Sequence, residues 1–290
     1  MLNENLPDFD SLWDYSQPDL TEIKFRAILL QIPEDDLALL ELLTQIARAQ
    51  GLQHKFDKAH QTLDQVRRRL GGVASRPQIR YLLERGRLYN SSGDPGQARS
   101  CFEQALDLSI QLNEDFHAVD ALHMLAIVAS PDEALTLNRQ AIKRAEASAD
   151  SRARSWLGSL YNNLGWAYHG TGDFASALKA FEKAESYRRA KSSAPEIRVA
   201  VWCVARTLRS LKRFEEALSK QMELKIEFES VGERDGFVFE EIAECLWALR
   251  RTDAARAYFA RAYEVLSEDV SLAERQPERL GRLKKLGRVV

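Results

Sequence analysis

The sequence predicts an all-α solenoid of about six antiparallel helix pairs, with one helix before them and a capping helix after them. Three observations carry this. Two stretches of the chain are near copies of each other, and four weaker copies follow the same template. Two columns of small residues, Gly or Ala, recur in all six copies. Only 14 Gly and 8 Pro punctuate 290 residues, too few for the many turns of an all-β protein.

Composition sets the outer limits. At 45% hydrophobic and 29% charged residues, the chain can build a core and is not broadly disordered. Its 41 Lys+Arg against 43 Asp+Glu leave a formal net charge of −2, which argues against a generic nucleic-acid binder. Three widely spaced cysteines, Cys101, Cys203 and Cys245, suggest neither a disulfide framework nor a zinc site. The first fifteen residues lack a basic segment followed by an apolar one, so no secretory signal is expected. No run approaches the ~18–20 apolar residues that cross a bilayer. A cytoplasmic protein with no membrane partner and no cofactor is the expectation.

Residues 1–18 hold Glu4, Asp8, Asp10 and Asp14 with no Lys or Arg, together with Phe9, Trp13 and Tyr15. This is an acidic, aromatic arm, expected to be solvated. Asp19-Leu-Thr-Glu starts a helix whose apolar stripe is Leu20, Ile23, Ala27 and Leu30, and Pro33 ends it. Residues 1–33 thus form arm and first helix, and 34–268 hold the repeats. In 269–290, Pro277 opens a helix carrying Arg279, Arg282, Lys284, Lys285 and Arg288, suited to capping a solenoid.

Within the repeats, Tyr161-Asn-Asn-Leu164-Gly165-Trp-Ala-Tyr168 precedes Gly172-Asp173-Phe174, then Ala177, Phe181 and Ala184. Leu82-Leu-Glu-Arg-Gly86-Arg-Leu-Tyr89 precedes Gly93-Asp94, then Ala98, Phe102 and Ala105. The small residue of the first helix recurs as Ala47, Gly86, Ala126, Gly165, Ala205 and Ala243. That of the second recurs as Ala59, Ala98, Ala134, Ala177, Ala217 and Ala255. Such positions lie where two helices cross closely, and a larger residue would overpack by ~1–3 kcal/mol. Asn138 and Gln221 stand where Leu63, Phe102, Phe181 and Phe259 stand elsewhere, so the third and fifth copies are degenerate. The third copy also has a shortened turn.

The pattern resembles the tetratricopeptide repeat, a pair of antiparallel helices of about 34 residues. Here the intervals between second-column alanines are 39, 36, 43, 40 and 38 residues, so the helices are expected to be longer by about a turn. The resemblance implies a right-handed superhelix whose first helices line a concave groove. It places Arg48, Arg80, Glu84, Arg87, His123, Asn162, Asn163, Trp166, His169, Val199, Trp202, Cys203, Arg206, Arg209, Phe237, Glu240, Glu241, Glu244 and Trp247 on that lining.

No catalytic motif is present: neither a P-loop, nor a dinucleotide fingerprint, nor a zincin or nucleophile-elbow pattern. Of the five histidines only His54 and His60 are close in sequence, and their spacing of six does not share a helical face. Cys203 has no neighbouring base, and Glu240, Glu241 and Glu244 read as a solvated or groove-end cluster. The chain is therefore expected not to be an enzyme.

The expected function is a scaffold or adaptor that binds a peptide segment of a partner protein in the groove. The residues assigned to it are Asn162, Asn163, Trp166, Trp202, Arg206, Arg209, Arg87 and Arg48. By resemblance, Asn163 stands where peptide-binding members place an Asn that bonds the ligand backbone. Exposed Trp and Arg commonly anchor interfaces, and Arg pairs bidentately with carboxylates, so the segment is expected to be acidic and apolar. The glutamates would give the far end the opposite sign. The Lys/Asn/Lys/Arg clamp of chaperone-tail binders is not reproduced, since Glu84, Met124 and Cys203 share the column of Asn163. Two alternatives stand beside this reading: a homodimer joined through the N-terminal arm, and a small-molecule sensor built on His123, His169 and Cys203.

Overall fold

In the computed structural model, residues 8–34, 36–191 and 193–289 are described, and all their regular structure is helical. The chain divides after Leu157 into two compact units. The first holds a short 3-10 turn, Phe9–Leu12, then α1 (Pro18–Leu29), α2 (Leu37–Leu52), α3 (Phe56–Arg69), α4 (Arg76–Ser91), α5 (Pro95–Gln111), α6 (Asp115–Val128), α7 (Pro131–Ala147) and the short α8 (Ser151–Ser155). The second takes all but the first residue of α9 (Leu157–Gly170) and continues through α10 (Phe174–Lys191), α11 (Ala194–Ser210), α12 (Phe214–Ser230), α13 (Gly236–Ala248), α14 (Thr252–Leu266), α15 (Val270–Arg275) and α16 (Pro277–Gly287).

The six predicted pairs are α2/α3, α4/α5, α6/α7, α9/α10, α11/α12 and α13/α14. Their starts are set locally. Asp36, Asp94, Asp235 and Asp269 accept backbone N–H bonds at N-termini, and Pro stands in the first turn of six helices. The turn inside a pair needs one left-handed residue. It falls seven positions after the first small column in five pairs: His54, Gly93, Gly172, Lys212 and Arg250. Glycine takes this conformation freely, whereas a side chain pays roughly 1–2 kcal/mol for it.

The small columns do what their chemistry requires. A Cβ on Gly86 would lie 2.4 Å from the Phe102 ring, and one on Gly165 would lie 2.6 Å from that of Phe181. Ala47, Ala205, Ala243 and five of the second-column alanines are fully buried, but Ala126 and Ala134 are only half-buried. Their pair has a two-residue connection, and α8 is inserted after it. That insertion accounts for the long interval from Ala134 to Ala177. Gln221 is fully buried, and neither its amide oxygen nor its nitrogen meets a protein partner.

One element departs from expectation. The stripe Leu20, Ile23, Ala27 and Leu30 faces solvent, with Leu30 89% exposed. The face of α1 that packs is Thr21, Phe25, Ile28 and Leu29, against α2. Both stripes have helical spacing, and the volume of Phe25 decides between them: it is the largest side chain on the helix and reaches zero exposure.

Candidate functional site

In the first unit the lining positions of α2, α4 and α6 form a ladder of charges. Arg48 Nη1 lies 3.2 Å from Glu84 Oε1, and Arg87 Nη1 lies 2.7 Å from the same oxygen. Arg87 Nη2 then reaches Asp120 at 2.5 Å. Burial opposes charge on Arg87 and Asp120, yet each lies close enough to hold the other ionised: the Arg87 pKa is raised and that of Asp120 lowered. Arg87, which the sequence offered to a partner's carboxylate, is paired here within its own chain. Its side chain is 15% exposed and its partners come from its own chain.

The described part of the arm, from residue 8 on, is held against its own chain. It lies on this same face. Phe9 is buried, and Asp10 takes both Nη groups of Arg80, at 3.0 and 2.6 Å. Arg80 Nε also faces Glu41 at 3.3 Å. Burial would raise the Asp10 pKa, but the Arg80 guanidinium outweighs it and lowers it. Trp13 donates its indole N–H to Gln45 Oε1 at 2.9 Å and meets Phe25 edge-on. Tyr15 stacks on Trp13 at 4.8 Å, and the Arg48 guanidinium sits over both rings. An acidic, aromatic segment thus occupies the first-helix face of the first unit, and Arg48 is engaged by it.

In the second unit the assigned residues gather on α9 and α11. Asn162 accepts from the Cys203 thiol at 3.5 Å, and Asn163 is half-buried beside it. Trp166 is 37% exposed and packs edge-on against Phe181 at 5.1 Å, with Trp202 at 6.3 Å. His169 Nε2 meets Ser210 Oγ at 3.0 Å, and Arg206 donates to the same hydroxyl. Arg206 and Arg209 both pair with Glu241, at 3.1 and 2.6 Å. Arg279 holds Glu240, and Arg282 holds Glu244. The glutamates therefore neutralise neighbouring helices, and the predicted change of sign along the lining is absent.

Beside Trp202 lies a cavity of about 590 Å³, lined by Pro195, Val199, Trp202, Phe228, Phe237 and Val238. Its rim carries Arg198, which stacks over Phe228 and pairs with Glu233 at 2.8 Å. The size is typical of a site that takes an apolar group. Val199, Trp202 and Phe237 were legible from the register of first helices. Phe228 and Pro195 were not, because they stand at a helix end and a helix start outside that register.

The sensor alternative finds little chemistry here. Burial pushes the Cys203 thiol up to about 12, so it is neither a thiolate nor a ready nucleophile. Cys245 is pushed up to about 12 for the same reason, and all three cysteines are free and buried. His123 packs on Trp156 in the first unit, while His169 belongs to the second. No group of three metal-ligating side chains occurs among the described residues. Nor is any described helix long and apolar enough to cross a membrane.

Residues 79–109 and 158–191 match the tetratricopeptide repeat model. No curated protein matches the sequence. Solved structures do match in fold. The apo form of RapI aligns with TM-score 0.71 at 11% identity, covering 88% of this chain and 73% of its own. BtubC from P. vanneervenii aligns with TM-score 0.60 at 15% identity, covering 79% and 94%. NprR in complex with its cognate peptide NprX aligns with TM-score 0.56 at 12% identity, covering 95% and 82%. Identities this low speak for fold alone. The matched repeats, the six helix pairs and the Gly–Phe contacts at their crossings agree: the chain carries tetratricopeptide repeats at residues 79–109 and 158–191 and has the fold of an all-α solenoid.

Proposed function

We propose that the protein is a non-catalytic scaffold or adaptor that holds a segment of a partner protein against its first helices. One observation carries this reading: the chain's own arm lies on such a face, with Asp10 on Arg80 and Trp13 beneath Arg48. A surface that accepts an acidic, aromatic segment in cis has the chemistry to accept one in trans. NprR, alike in fold, has been crystallised with a peptide.

The partner's segment binds the second unit, where the assigned residues gather on α9 and α11. Trp166 and Trp202 provide the apolar contact, Asn162 and Asn163 the amides for its backbone, and Arg206 and Arg209 a cationic edge that Glu241 shares. An apolar side chain of the segment enters the cavity beside Trp202. Arg48 and Arg87 serve only where the arm gives way. The protein works in a reducing, cytoplasmic setting, consistent with its free thiols.

Affinity capture from native extract tests this, comparing the wild type with a Trp166→Ala/Trp202→Ala variant of unchanged helicity. A protein retained by the wild type and lost by the variant supports the reading. Equal capture by both overturns the assignment of the second unit.

A further inference from the structure

We infer that the face of the first unit under the arm is a second segment-binding site, for a partner's segment with a carboxylate three residues before a Trp, and that the arm is its built-in competitor. The site lies wholly within the first unit and stands or falls separately from the one on α9 and α11. The arm is held as a ligand is held, by side chains rather than by its backbone. From Asp8 to Leu12 its backbone closes on itself in the 3-10 turn, with the Ser11 N–H on the Asp8 carbonyl at 3.0 Å and the Asp10 N–H on the Asp8 carboxylate at 3.1 Å. Among the described residues, its hydrogen bonds to α2 and α4 come from the side chains of Asp10 and Trp13. A segment with the same two groups at the same spacing makes the same contacts.

The face selects that chemistry. Arg80 is 7% exposed, and its two Nη groups take no hydrogen-bond acceptor but Asp10 among the described residues. A buried guanidinium left with unfilled donors is costly, so whatever replaces the arm must bring a carboxylate there. His117 of α6 and the Arg152 guanidinium of α8 stand near enough to favour that charge. The Trp slot is set by Gln45 Oε1, which accepts the indole N–H, and by Arg48 over the ring. Thr21 Oγ1 bonds both the N–H and the carbonyl of Asp14, pinning the point where arm meets α1. Residues before Asp14 can therefore leave without unwinding the helix. Arm and partner segment need the same Nη groups and the same slot, so they exclude each other. A segment in trans meets only those molecules whose tethered arm is off, and its apparent affinity falls by that fraction.

Fluorescence anisotropy of a labelled peptide of residues 8–14, titrated with the full chain, tests both parts. An Asp10→Ala/Trp13→Ala chain of unchanged circular dichroism should bind the peptide at least about tenfold more tightly than the wild type. Asp10→Asn in the peptide alone, which cannot unfold the protein, should weaken binding by about tenfold or more. Arg48→Ala in the loosened chain should weaken it about two- to fivefold. Trp166→Ala/Trp202→Ala in the loosened chain, in the other unit, should leave it unchanged. Should the loosened chain misfold, the wild type still decides: excess unlabelled peptide should move the chain's own Trp13 indole resonance toward its free position, and the Asp10→Asn peptide should not. A folded loosened chain that binds no more tightly than the wild type overturns the inference. So does a peptide indifferent to Asp10→Asn, binding that is lost with Trp166 and Trp202, or a Trp13 resonance that excess peptide leaves in place.

Discussion

The ring of Phe181 occupies the space a side chain on Gly165 would need: a Cβ built there would lie 2.6 Å from Phe181 Cε1. The pair closes the crossing of α9 and α10, and Gly86 with Phe102 closes that of α4 and α5 in the same way. Gly165→Ala should therefore destabilise the fold by ~1–3 kcal/mol, visible as a lowered melting temperature. Adding Phe181→Leu should recover part of that loss, so the two changes should be non-additive. Strict additivity would show that the two residues do not share the space.

Gln221 stands in the column that Phe fills elsewhere, fully buried and without a protein hydrogen-bond partner. A buried amide left unpaired costs ~1–3 kcal/mol. Gln221→Leu should thus raise the denaturation midpoint, since Leu63 fills the equivalent place in the first pair. A lower midpoint would mean that the amide is satisfied in solution.

The charge ladder should be graded by burial. Arg87→Ala takes from buried Asp120 the cation bonded to it, and removal of one partner from a buried pair costs about 3–5 kcal/mol. Replacing both, as Arg87→Met with Asp120→Leu, should cost much less. Arg213→Ala breaks an exposed pair with Glu216 and should change stability little. Chemical denaturation of the three variants checks the order.

Docking of the arm should fade in acid. The folded-state pKa of Asp10 lies below its ordinary 3.8, so its contribution is complete above that value and is lost as pH falls through the lowered one. Exchange protection of the Trp13 indole N–H should be constant from neutral pH to about 4 and decline below it. Asp10→Asn should reduce that protection at every pH. A loss of protection between pH 7 and 5 would point to a different titrating group.

Lys212 and Arg250 hold left-handed conformations, at φ 61° and 60°, that Gly93 and Gly172 hold in other pairs. Lys212→Gly should be neutral or stabilising by up to about 1 kcal/mol, the relief of strain being partly offset by the greater freedom of glycine when unfolded. Gly172→Lys should be destabilising. Thermal melts of both variants provide the check.

Much of the molecule was legible in one dimension. The repeat class, its six pairs and their register follow from local facts: which positions are small, where Asp or Pro starts a helix, where a turn needs a left-handed residue. These depend on neighbours within some twenty residues, so sequence spacing alone reports them. The same register put Asn162, Trp166, Trp202, Arg206 and Arg209 on one lining.

What the spacing could not decide was the choice among partners of equal chemistry. Asp10 could pair with solvent or with any arginine, and only the stacking of α2 on α4 brings Arg80 to it. Glu240, Glu241 and Glu244 could have formed an acidic groove end, but helices more than thirty residues away supply Arg209, Arg279 and Arg282 to neutralise them. On α1 two stripes had the helical period, and volume, through Phe25, buried one and left Leu20, Ile23 and Leu30 outside. Periodicity states that a helix has a face; only packing against a particular neighbour states which face it is, because burial energy depends on the area and shape that the neighbour offers.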